Sequence, residues 1–201
     1  MLLPLLWPSV LTPLEESSEV KALYALLTGI EYSVNAWEAA LLLYQTARNP
    51  PATIDRQIAN RWRWIACNEC VLELYHLRAR LGKIQSVQLR KCPSIRKWID
   101  ISAIRQARKQ LDDYFPDIEL LRHATAHKGE NEAHPEAHAP DGRFALTGFR
   151  EPNRYSLPYL GKMYSLDITD DSLEKISETV TLYLSAFSFA AKELELQGHV
   201  E

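Results

Sequence analysis

The chain has 201 residues, 46% of them apolar and 24% charged, and a formal net charge of −3. That is too apolar for a disordered chain and enough for one domain with a sizeable core, and no 18-residue apolar run is present to span a membrane. Three cysteines, Cys67, Cys70 and Cys92, are odd in number and unevenly spaced, which argues against a secreted disulfide framework and for a reducing, cytoplasmic setting.

The first 14 residues are apolar but carry prolines at 4, 8 and 13 and no basic n-region, so an extended arm packed on the body is expected in place of a signal peptide. Val20, Leu23, Leu27, Ile30, Val34, Trp37, Leu41 and Tyr44 then recur at steps of 3 and 4. This seam predicts a helix of about 25 residues, roughly 37 Å long. Gly29 inside it marks a kink or a close approach, and Asn49-Pro50-Pro51 ends it. A second helix is expected over 52–82, with Ile54, Ile58, Trp62, Ile65, Leu72 and Tyr75 as its main stripe, Leu77 and Leu81 continuing the apolar side, and Gly82 as its stop. Glu69 and His76 fall on or beside this stripe. Glu69 is either an inward carboxylate paired with a cation such as Arg122 or an exposed acid on the flank of a broad helix.

Residues 83–93 read as a connection. A third helical region over 93–115 uses Trp98, Ile101, Ile104, Leu111 and Phe115. Pro116 then restarts a short helix over 116–128, because its ring presets φ and its missing N–H has no partner in a first turn. Gly129 is suited to end that helix. From 130 to 168 the pattern predicts a loop and a small β-hairpin. Its strands contain Phe144 with Leu146, and Tyr164 with Leu166 and Ile168, around a long loop holding Pro and Asn. The last helix begins near Asp171, where Asp171 and Glu174 resemble a capping box, and its seam runs from Leu173 to Leu194. The fold class is therefore mainly α: an up-and-down bundle of four to five helices in one domain over 1–201, with a small inserted hairpin.

Charge is unevenly distributed. Thirteen of the 23 basic residues and only three acids, Glu69, Glu73 and Asp100, lie between Arg56 and Gln110, a local excess of +10. Such a block is either a nucleic-acid footprint or a solvated face answering neighbouring acids. Arg61-Trp62-Arg63-Trp64 within it offers at most Trp64 as a free base-stacking ring, since Trp62 belongs to the stripe.

The segment richest in chemistry is Phe115–Gly129. Arg122, His123 and His127 place a permanent cation and two imidazoles on the final turn and a half of the short helix. Arg122-His123-x3-His127 resembles the Arg-x4-6-His motif of the HEPN superfamily, a group of helical bundles, over these six residues and the general helical layout. The resemblance implies a metal-independent endoribonuclease or RNA-binding protein, acting as a homodimer in which two motifs share a cleft. Attack of the 2′-hydroxyl on the adjacent phosphate would cleave RNA. On that basis Arg122 is the phosphate clamp, His127 the acid or base, and His123 the polar orienting residue. In the family the motif is usually close to the final helix, whereas about 40 residues intervene here. Leu26, Tyr32 and Leu42 form a second apolar set for a dimer to cover.

Two further readings use the same residues. His123, His127, His134 and His138 form an array in which Glu130, Glu132 and Glu136 add oxygen donors, so a metal site is one alternative. A non-catalytic helical interaction module, with Arg122 and His127 capping a helix and pairing with acids, is the other. Cys67-x2-Cys70 lies inside a long helix without a second Cys pair and reads as packing. No Gly-rich phosphate loop, nucleophile elbow or nucleotide fingerprint is present, and no cofactor is expected.

Overall fold

The computed structural model describes residues 14–127 and 148–198. The arm over 1–13, the loop over 130–142, the Phe144 and Leu146 strand, Gly129, His134 and His138 lie outside the described residues. Within them the chain is mainly α, with a small antiparallel sheet: α1 (Ser17–Arg48), α2 (Arg56–Ser86), α3 (Pro93–Arg96), α4 (Ile101–Tyr114), α5 (Ile118–Ala126), β1 (Gly148–Glu151), β2 (Arg154–Tyr159), β3 (Lys162–Asp167), α6 (Asp170–Ser185) and α7 (Ser188–Gly198). None of the described helices is long and apolar enough to cross a membrane.

The expected first seam is the buried face of α1 except at Val34, which is half-buried while Ser33 beside it is buried: Val20, Leu23, Leu27, Ile30, Trp37, Leu41 and Tyr44 are each at most 3% exposed. On α2 the buried face differs from the expected one. Ala59, Ala66, Cys67, Cys70, Val71, Leu74, Leu77, Leu81 and Ile84 are inside, while Ile58 and Ile65 are 45% and 58% exposed. Small side chains let a neighbouring element come close, so the Ala and Cys face packs inward and the bulkier Ile and Trp stripe turns outward. The helix starts four residues later than expected because Asp55 caps it, accepting from the N–H of Gln57 at 2.7 Å and of Ile58 at 3.3 Å. It also passes through Gly82 to Ser86. The third helical region is two helices, α3 and α4, with Asp100 capping the second through Ser102 N–H at 2.8 Å.

Packing divides the chain into two compact units, and α1 and α2 each contribute to both. Of the described residues, the first comprises 14–34, 76–114 and 175–198. Its core includes Leu23, Leu27, Ile30, Leu81, Ile84, Ile104, Leu111 and Phe187, and the buried Tyr183 hydroxyl donates to the Leu81 carbonyl at 3.1 Å. The last seam is interrupted at Ala186–Phe187, where the Ala186 carbonyl accepts from the Asp100 N–H at 3.1 Å in place of an intrahelical partner. Gly29 marks a close approach, since a Cβ there would lie 2.8 Å from Arg80 Nε.

Of the described residues, the second unit comprises 35–75, 115–127 and 148–174. Trp37, Tyr44, Leu74, Ile118, Leu121, Tyr155, Leu157, Leu166 and Ile168 are buried in it. Its sheet has the order β1-β2-β3, all antiparallel. What sequence suggested was a long loop is therefore mostly strand: Pro152-Asn153 turns β1 into β2, and Leu160-Gly161 turns β2 into β3. Asn153 takes φ 68°, which asparagine tolerates, and its side chain accepts from Arg48. The last helix is capped by Thr169, whose hydroxyl accepts from the Ser172 N–H at 3.2 Å, two residues before the expected capping box.

Candidate functional site

The motif helix α5 is short, and the second unit holds it by its apolar edge. Ile118, Leu121 and Ala124 are buried, and β2 and β3 pack against the helix. Pro116 and Asp117 form the turn before the helix instead of its first residues. The chain leaves α5 at His127, whose N–H donates to the His123 carbonyl at 3.0 Å. Arg122 and His123 are half-buried and His127 is exposed, so the polar side of the helix remains reachable from solvent.

The three motif side chains gather with two tyrosines. Arg122 lays its guanidinium over the Tyr75 ring, 5.2 Å from the centroid, and an amino group lies 3.5 Å from His123 Nδ1, the outer limit of a hydrogen bond. The His123 ring stacks with Tyr159 at 6.2 Å and 12° and with His127 at 6.3 Å and 20°. These are offset-stacked spacings. The result is a ladder of three nearly parallel rings beside a cation. Sequence placed Tyr75 in a core stripe and Tyr159 in a loop, so both platforms were missed. A phenol at the end of an apolar stripe was the one available sign, because such a ring has one apolar and one polar end.

Glu69 does not pair with Arg122. Glu69 is half-exposed on α2, and Arg122 meets no carboxylate among the described residues. Burial falls instead on Glu73, one turn further along, at 7% exposure. The rotated α2 face explains the difference, since it carries Glu73 inward. The metal reading depends on His134 and His138, which lie outside the described residues. Among those described, no group of three or more metal-binding side chains occurs.

The remaining candidates are built into the frame. Trp64 is not free, because its ring meets Tyr155 edge-on at 5.8 Å and 79°, and the Tyr155 hydroxyl donates to Asn68 Oδ1 at 2.8 Å. Cys67 and Cys70 are buried free thiols, and burial pushes both well above the ordinary thiol range. Of the basic block, Arg78 pairs with Asp112, Lys91 with Glu19 and Lys109 with Asp113. Arg56, Arg61, Lys83, Arg90, Arg96 and Arg105 are exposed, and none contacts an acid among the described residues. No family model, curated protein or solved structure matches the chain. What the cluster does must therefore be argued from its own chemistry.

Proposed function

We propose that the chain is a HEPN-like, metal-independent RNA-cleaving protein that works as a homodimer. One observation carries the reading: the half-buried Arg122 guanidinium stands beside the His123 imidazole, with which His127 stacks, and no carboxylate neutralises it among the described residues. A guanidinium fixed on a tyrosine face and left without an anion matches the two non-bridging oxygens of a phosphodiester.

The chemistry follows from these groups. One imidazole takes the 2′-hydroxyl proton as O2′ attacks phosphorus. The bond from phosphorus to O5′ then breaks, and a second imidazole returns a proton to the leaving oxygen. The products are a 2′,3′-cyclic phosphate and a free 5′-hydroxyl. One His127 from each protomer would supply the base and the acid, while His123, stacked with Tyr159 and His127, orients the cluster. Assembly is supported by Ile58 and Ile65, large apolar side chains 45% and 58% exposed on α2 in the unit that holds the cluster.

Purified protein should cleave RNA in the presence of EDTA and leave cyclic phosphate ends. His127→Ala and Arg122→Ala should each lower the rate by roughly 10²- to 10⁴-fold, and His123→Ala by roughly 10- to 100-fold, with the melting temperature unchanged. Inhibition by EDTA with rescue by zinc would favour the four-histidine metal site instead. Wild type inert across about pH 6 to 8, with both variants melting lower, would leave a non-catalytic interaction module.

A further inference from the structure

The β2–β3 hairpin reaches the cluster through Tyr159, and its tip has two features that packing within the described residues does not explain. Leu160 occupies the left-handed region at φ 49°, followed by Gly161 at φ 72°. Two positive φ values in a two-residue turn favour Asn-Gly or Asp-Gly, and a leucine there is strained by its own Cβ. Burial does not compensate, because Leu160 is 74% exposed, more than any other large apolar side chain among the described residues. The second feature is Lys162. It pairs in register with Tyr159, so the two side chains leave the same face of the sheet. Tyr155 and Leu157, four and two residues before Tyr159 on β2, are buried on that face, and Tyr159 continues it to the His123 ring. Lys162 is therefore an exposed cation at the rim of the ring ladder, and it makes no ion pair among the described residues.

We propose that the Tyr159–Lys162 rung and the Leu160 tip form a nucleotide subsite flanking the Arg122, His123 and His127 cluster. Lys162 meets a phosphate next to the scissile one, and the leucine side chain packs on the base of that nucleotide. The substrate this fits is single-stranded RNA, since a base must be unstacked to reach an exposed apolar tip. Charge complementarity agrees. Arg122 stands by His123 and Lys162 lies in register with Tyr159, and the nearest acid of the hairpin in sequence, Asp167, is held at the far end by Arg154 at 2.7 Å. The subsite rests on the RNA-cleaving reading above.

The test uses the full chain with a fluorescent single-stranded RNA to follow cleavage and its 2′-O-methyl analogue, which cannot be cleaved, to follow binding. Leu160→Asn suits the left-handed turn better than leucine. It should keep or raise the melting temperature, weaken binding of the analogue several-fold, and raise KM with kcat at saturating RNA little changed. Lys162→Gln should lower the slope of log affinity against log salt by about 0.7, the share of one phosphate on a single strand. Wild-type binding by Leu160→Asn together with an unchanged salt slope for Lys162→Gln would overturn the subsite while leaving the cleavage reading intact. A lower melting temperature for Leu160→Asn with unaltered binding would also overturn it, by showing that the chain covers its own tip. If wild type neither binds nor cleaves RNA, the underlying reading falls and the subsite with it. That result is read on wild type alone, so the two failures are distinct.

Discussion

At the scale of single residues, the described charges divide into those already partnered and those left open. Glu19 belongs to the first kind. Its carboxylate accepts from Gln88 Nε2 at 2.9 Å and from Lys91 Nζ at 3.2 Å, and these two contacts, the Gln88 hydrogen bond first, hold it below the usual carboxylate range. A folded-state pKa below the unfolded one adds stability above the unfolded value and loses it as pH falls through the folded value. The melting temperature of Glu19→Gln should therefore lie below wild type at neutral pH, and the gap should close below about pH 4. A gap that persists in acid would mean that the lost stability comes from shape and not from charge. Arg122 is of the second kind. An acid satisfied by its neighbours contrasts with a guanidinium that rests on a ring and meets no carboxylate among the described residues, which is what marks Arg122 as a candidate site residue.

At the scale of elements, glycine in a helix interior has a cost that its neighbours decide whether to recover. A Cβ at Gly82 would meet Arg108 Nη2 at 3.6 Å, an ordinary contact, whereas one at Gly29 would run into Arg80, which donates to Ser33. Gly82→Ala should therefore raise stability by about 0.5–1 kcal/mol. Gly29→Ala should gain less, because Arg80 must move away from Ser33. Equal gains in thermal unfolding would show that Arg80 shifts freely. The same helices mark how far periodicity could be read. The α1 seam was legible because all of its large residues but Val34 go inside, while Tyr32 and Leu42 of the second apolar set stay 61% and 64% exposed. On α2 two stripes compete, and the side chains of Ile58 and Ile65 outweigh Ala59 and Ala66 on any scale of hydrophobicity. Burial there was decided by how closely the facing element approaches, which is not written in α2 itself. The sheet was partly hidden because Pro152, Asn153 and Pro158 read as loop, yet the first two make a turn and Pro158 sits in register opposite Met163. Of the candidate site, Arg122, His123 and His127 were legible because one helix carries them. Tyr75 and Tyr159 were not, since they reach α5 only through tertiary packing.

At the scale of the whole molecule, the remaining question is how many chains complete one site. Ile58, Trp62, Ile65 and Leu72 follow one another on α2 at steps of 4, 3 and 7, so they share a face, and all are at least partly exposed. Large apolar side chains repeated along one helix face are an expected contact surface between two copies, because a two-fold axis sets the same stripe against itself. Light scattering at micromolar concentration should then give a dimer mass for wild type, and Ile65→Glu should give a monomer with nearly the same melting temperature, since the site is already in water. The cleavage rate decides the mechanism. If His127 of each protomer supplies one of the two proton transfers, the Ile65→Glu monomer should lose activity in step with mass although Arg122 and His127 are intact. A monomer that cleaves as well as wild type would place both transfers in one chain. Among the described residues the imidazole stacked with His127 is His123, at 6.3 Å, and its role would then change from orienting residue to proton donor or acceptor.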